Sequence, residues 1–208
     1  NTLIAGDSDH LWGDWLVEKG IVDQQHYKDT NDQFYVDYQN GRLDIMAYLR
    51  FSLKVLAEHD MAQLHFWREQ FLAEQLDAMW LPKAEALLQK HRDQGHTLMI
   101  ITATNDFVTA PLADRLGVDH LIATVAECKR ERYTGNVAGI PSYRDGKVER
   151  LAEWLRANNE SLAGSWFYSD SHNDLPLLRK VDNPVAVDPD VTLDREAREQ
   201  GWPIISLR

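Results

Sequence analysis

The chain has 208 residues, 44% of them apolar, enough for one full core with room for an inserted subdomain. Its 22 Lys and Arg face 33 Asp and Glu, a formal charge of -11, which excludes nucleic acid or an acidic membrane as a partner over most of the surface. A single cysteine, Cys128, rules out an intrachain disulfide and a multi-thiolate zinc site, and with no membrane-length apolar run or signal-peptide start the expectation is a soluble cytoplasmic protein.

From about Asp9 to about Asp77 apolar and aromatic residues recur at helical spacing, among them Leu11, Trp12, Trp15 and Leu16, then Tyr48, Phe51, Leu53 and Leu56, then Leu64, Trp67 and Phe71. Nothing in this stretch reads as a strand. Pro82 suits the first turn of a further helix and Gly95 its end. Beyond it strands alternate with helices, the pattern of a parallel sheet covered on both faces. The predicted strands are Thr97 to Thr102, Leu121 to Thr124, Trp166 to Ser169, Val185 to Val187 and Ile204 to Ser206. The predicted helices are Phe107 to Leu116, Lys147 to Asn158, Leu175 to Val181 and Leu193 to Gln200. Between them "ECKRERYTGNVAGIPSY" reads as a hairpin or an irregular flap, and its basic run at 129 to 133 as a solvated turn.

In such folds ligands bind beyond the carboxyl ends of the strands, and two strands here end in reactive groups. "LMIITATND" delivers the Thr102 hydroxyl and the following amides, just before a helix whose amino end attracts anions. "WFYSDSHND" delivers Asp170, where a lone carboxylate is costly without a metal or a donor, and a magnesium ligand is the better account. Asp174 has two readings at this point, a helix cap or a holder of metal-bound water. Lys147 starts a helix, a poor place for a cation unless an anion is near; beside Thr102 and Asp170 it reads as a charge that neutralises a phosphoryl group.

The ordered set of Thr102 in "IITAT", Lys147 in "GKVERL", and Asp170 and Asp174 in "YSDSHND" resembles motifs two, three and four of the haloacid dehalogenase superfamily. The likeness is strongest to the phosphoserine phosphatase-like branch, with its helical cap inserted after motif one, and it spans essentially the whole chain. It implies a Rossmann-like α/β sheet sandwiched by helices, with residues 1–9 and 83–208 as core and 10–82 as an inserted helical C1 cap. It implies Mg2+ as cofactor, held by Asp170, and a small-molecule phosphate monoester as substrate. Phosphate would be held by Thr102, the amide of Ala103, Lys147, Asn173 and Thr2, with Asp174 supporting the metal and phosphate loop.

The opening "NTLIAGDSDHLW" is similar to the tail of the family's motif one, whose two aspartates would stand directly before Asn1. One of them is the nucleophile that forms an aspartyl phosphate, the other the general acid and base. A chain that begins mid-motif is the expectation; as it stands it would also lack the central first strand. The rival class is a catalytically inactive protein that binds phosphorylated ligands, and a rival chemistry is phosphoryl transfer to another alcohol.

Asp7 falls where the branch carries a glutamate that contacts a substrate amine. Asp9 and His10 adjoin it at the mouth of the cap, where an imidazole-bearing cation would fit between carboxylates and rings. Trp12 and Trp15 read as cap core. The branch's carboxylate-binding arginine has only Arg50 or Lys54 as counterparts in "YLRFSLKVL". The "NTL..GDSDH" start and "ITATN" also resemble histidinol-phosphate phosphatases, so L-histidinol phosphate is the expected substrate and phosphoserine the alternative. His172, where the family has a small residue, could touch the substrate or face solvent, and facing solvent is the reading preferred.

Overall fold

The computed structural model describes residues 1–208. Five helices open the chain: α1 (Ser8–Glu18), α2 (Gln24–Gln39), α3 (Ile45–Ser52), α4 (Lys54–Glu58) and α5 (Met61–Met79). Four of them begin on an aspartate, Asp7, Asp23, Asp44 and Asp60, whose side chain accepts backbone N–H bonds from the first turn. The acidic composition is thus partly a set of helix starts. No helix is long and apolar enough to cross a membrane.

The order then becomes α6 (Pro82–Asp93), β1 (Met99–Asn105), α7 (Asp106–Leu116), β2 (His120–Lys129), β3 (Arg132–Ala138), α8 (Asp145–Asn158), β4 (Trp166–Ser169), α9 (Leu175–Leu178), β5 (Asn183–Val187), α10 (Val191–Gln200) and β6 (Ile204–Ile205). The protein is an α/β fold, and every expected strand and helix is present. β1 runs three residues past Thr102 and β2 five past Thr124, because β2 continues into the hairpin with β3. That hairpin settles the flap region: Arg130 and Glu131 turn it with φ of 50° and 61°, the left-handed pair a two-residue turn requires.

The strands form two three-stranded sheets, β1-β2-β3 and β4-β5-β6, with β1-β2 and all of β4-β5-β6 parallel. β1 pairs only with β2 and β4 only with β5, so each has an edge without a partner. A cavity lined by both strands separates them. The apolar residues Met99, Ile100 and Ile101 of β1 are only half-buried there.

The largest core cluster joins the helical segment to the α/β part. Trp12, Trp15, Leu16, Leu53, Leu64 and Phe71 pack with Phe107, Val108 and Leu112 of α7 and Ala126 of β2. Trp12 and Trp15 stack at 5.4 Å and meet Phe71 edge-on, which makes them core residues as their spacing indicated.

Candidate active site

One cavity, about 630 Å³, runs from the space between β1 and β4 to the helical segment above the strand ends. Of the expected site residues it is lined by Thr2, Asp7, Asp9, His10, Thr102, Ala103, Lys147, Asp170 and Asp174.

The β1–β2 register slips between Ile101 and Asn105, so Thr102, Ala103 and Thr104 bulge from the ladder at the strand's carboxyl end. Within the bulge the Thr104 N–H donates to Thr102 Oγ1 at 3.2 Å, leaving the Thr102 hydroxyl hydrogen free to donate. Asp170 directly follows β4, half-buried, and accepts a hydroxyl bond from Thr2 at 2.7 Å; it has no basic partner. A cavity-facing carboxylate in that condition fits a hard cation such as magnesium.

Lys147 lies in the first turn of α8, almost fully buried, with Nζ 2.6 Å from Asp174 Oδ1. The other oxygen of Asp174 accepts from the buried Ser169 hydroxyl at 2.7 Å. Asp174 makes no side-chain cap bond to α9, so of its two readings capping is corrected. A buried ion pair recovers its desolvation cost only when both ends are answered, and here one carboxylate answers Lys147 while a hydroxyl completes the carboxylate.

The other end of the cavity is acidic and aromatic. Asp7 caps α1, accepting from the N–H groups of Asp9 and His10. Asp9 is 8% exposed and accepts from Asn105 Nδ2 at 3.2 Å. Burial, and next the charge of Asp7, push the Asp9 carboxyl up to about 7, against the pull of a Tyr48 hydrogen bond. Burial and the Asp9 and Asp7 charges likewise push the Tyr48 phenol well above its usual range. His10 stacks on Tyr35, ring centroids 4.5 Å apart, with Nδ1 3.0 Å from Asn31. His10, Asp14 and Asp32 also converge closely enough for a cation, but Lys28 Nζ already stands 3.1 Å from Asp32 and 3.9 Å from Asp14.

Several expected residues lie elsewhere. Asn173, 2% exposed, does not line the cavity: Oδ1 accepts from Tyr143 and Arg144, and Nδ2 donates to the Tyr38 carbonyl. His172 does not face solvent as expected; its ring Nδ1 and its backbone N–H both lie 2.7 Å from Asp190 Oδ2. Arg50 and Lys54 are exposed and outside the cavity lining. The basic run at 129 to 133 is the hairpin turn, with Lys129 paired to Glu127. Sequence reasoning missed Tyr35 and Tyr38, one helical turn apart on α2, and Asn105; the three-residue tyrosine spacing was the available signal.

A buried lysine–aspartate pair, a free carboxylate and a bulged threonine at strand carboxyl ends define an α/β enzyme that works at its sheet edge. The family model for haloacid dehalogenase-like hydrolases matches residues 1–179, and the chain belongs to that family. The histidinol-phosphatase of Neisseria meningitidis serogroup C (strain 8013) is 43% identical over 212 aligned residues, covering 100% of this chain and 96% of that protein. A solved structure of a protein of unknown function from Bordetella pertussis Tohama I superposes with a TM-score of 0.93 at 38% identity, covering 100% of this chain and 95% of that one. A substrate-bound phosphoserine phosphatase superposes with a TM-score of 0.71 at 15% identity, covering 100% and 89%, a likeness of fold.

Proposed function

We propose that this phosphatase hydrolyses a small amine-bearing phosphate monoester, L-histidinol phosphate above others, with Mg2+ and through an aspartyl phosphate. The observation that carries the substrate reading is the cavity's charge. Its one lysine, Lys147, is already matched by Asp174, it has no arginine, and Asp7 and Asp9 stand unmatched at its far end. Such a space accepts a phosphate at the strand ends and a cation at the helical end, and it offers a substrate carboxylate no partner. The identity with the Neisseria histidinol-phosphatase supports the same choice.

In this reading residues 1–9 and 83–208 are the core and 10–82 the cap. Thr102 donates its hydroxyl, and Ala103 its amide, to phosphate oxygens. Lys147 offsets the charge that gathers on them, and Asp174 holds Lys147. Magnesium, held by Asp170, would supply further charge to the phosphoryl group. In this mechanism the nucleophile and the general acid and base are the family's two motif-one aspartates, and Thr2, which reads as the tail of that motif, donates its hydroxyl to Asp170. Asp7 receives the substrate amine, and Asp9 and His10 its flat ring.

The test is Asp7→Ala in the full-length protein: its catalytic efficiency toward L-histidinol phosphate falls sharply while an amine-free ester is affected far less. Equal losses on both esters would sink the assignment of Asp7 to the amine.

A further inference from the structure

Between α2 and α3 the chain presses against the two loops that carry Lys147 and Asp174. Gly41 has φ of 65°, and a Cβ there would lie 2.6 Å from His172 Nε2 and 3.0 Å from an Arg144 terminal nitrogen. A methyl group there would have to displace the tips of both side chains, and the positive φ would strain it as well. Arg144 closes it from below, donating Nε to Asn173 Oδ1 at 3.0 Å and a terminal N–H to the Gly41 carbonyl, with its guanidinium carbon 5.2 Å from the Tyr143 ring centroid. Asn173 completes the contact through Nδ2, which donates to the Tyr38 carbonyl at 3.0 Å. His172 is fixed from behind by Asp190.

Two features separate this contact from ordinary packing. Arg144 holds φ of 49° and ψ of −119°, a region that a side-chain-bearing residue adopts only when its surroundings enforce it. It also stands directly before the start of α8, three positions before Lys147, whereas Asn173 immediately precedes Asp174. The same side chains therefore meet the 38–41 backbone and set where the buried Lys147–Asp174 pair stands.

We propose that Arg144 and Asn173 are positioning residues: they latch the α2–α3 loop onto the loops of the catalytic pair, so that Lys147 is in place only when the helical segment is seated. The inference rests on the phosphatase reading but goes beyond it, since neither residue touches the cavity. A latch of this kind acts on the chemical step whatever the leaving group, because it places charge at the phosphate.

The test compares Gly41→Ala, Arg144→Ala and Arg144→Lys in the full-length magnesium-loaded protein, with L-histidinol phosphate and p-nitrophenyl phosphate as substrates. All three lower kcat by about tenfold or more on both substrates, since displacements of about 1 Å suffice for such losses. KM stays within about twofold, and lysine does not rescue, because it cannot bond Asn173 and Gly41 together. Amide hydrogen exchange at Gly146 and Lys147 quickens in Gly41→Ala, which leaves those residues intact. Unchanged kcat, or a KM rise confined to L-histidinol phosphate, would overturn the latch. If the wild-type protein turned over neither ester, the phosphatase reading would fail, and the exchange measurement would still decide the latch.

Discussion

At the strand end of the cavity Lys147 and Asp174 answer each other at 2.6 Å and Asp170 faces the space with only a threonine on it; at the helical end Asp7 and Asp9 stand among tyrosines with no lysine or arginine beside them. The first end is set by strand termini and by the first turn of α8; there Lys147 and Asp174 balance each other and Asp170 is left without a basic partner. The second is set by helix packing and keeps an excess of negative charge. Such a division separates a fixed chemistry from an adaptable choice of leaving group, and substitutions at the two ends should fail in different ways.

The largest effect is expected from Asp170→Asn. Loss of that carboxylate lowers magnesium-dependent phosphate release by about 10³-fold for every ester, read from initial rates against magnesium concentration. Equal loss across leaving groups marks the strand end; dependence on the leaving group would break the comparison.

Lys147→Met follows, with kcat lower by about 10²-fold. It also leaves Asp174 buried and unpaired, a destabilisation of about 3–5 kcal/mol visible in denaturant unfolding. Adding Asp174→Asn recovers much of that stability and none of the activity, which separates the pair's structural and chemical contributions.

At the helical end, Asp7→Asn sharpens what Asp7→Ala leaves mixed. Asparagine caps a helix as well as aspartate does, so α1 keeps its start while the charge is lost. Efficiency on L-histidinol phosphate falls by about 10- to 100-fold, the worth of one charge-assisted hydrogen bond, with unfolding unchanged.

The smallest effect on turnover concerns pH. The Asp9 carboxyl is raised from 3.8 to about 7 in the folded protein, so the folded state binds the proton more tightly than the unfolded one. Stability contributed by the protonated group is complete below the unfolded value and declines as pH rises to about 7. Asp9→Asn removes this slope, and unfolding midpoints measured between pH 4 and pH 8 would reveal it. The same ionisation favours a cationic substrate, so the KM of the wild-type protein for L-histidinol phosphate falls relative to that of Asp9→Asn as pH passes 7.

The two ends also differed in how far the sequence exposed them. Apolar runs that stop at Thr102 and Asp170 reveal strand ends, because a buried strand has no other reason to finish on a hydroxyl or a carboxylate, and Lys147 stood out against the helix dipole. Helical spacing likewise identified Trp12 and Trp15 as core. Tyr35, Tyr38 and Asn105 stayed hidden, since their meetings with His10, Asn173 and Asp9 depend on how the elements cross, which no local pattern encodes. Asp174 and His172 were ambiguous for the same reason: their partners Lys147 and Asp190 are distant in sequence. The alternation of strands and helices led to one parallel sheet, and the division into two three-stranded sheets was not legible, because strand order is not encoded in local spacing.

The most direct test of the account is magnesium-dependent phosphate release by the full-length protein, with L-histidinol phosphate and L-phosphoserine compared at equal concentration. A strong preference for L-histidinol phosphate is the expected result, because the cavity has carboxylates for its amine and ring and no cation for a substrate carboxylate. A preference for phosphoserine would contradict it and would require a basic residue to reach the helical end.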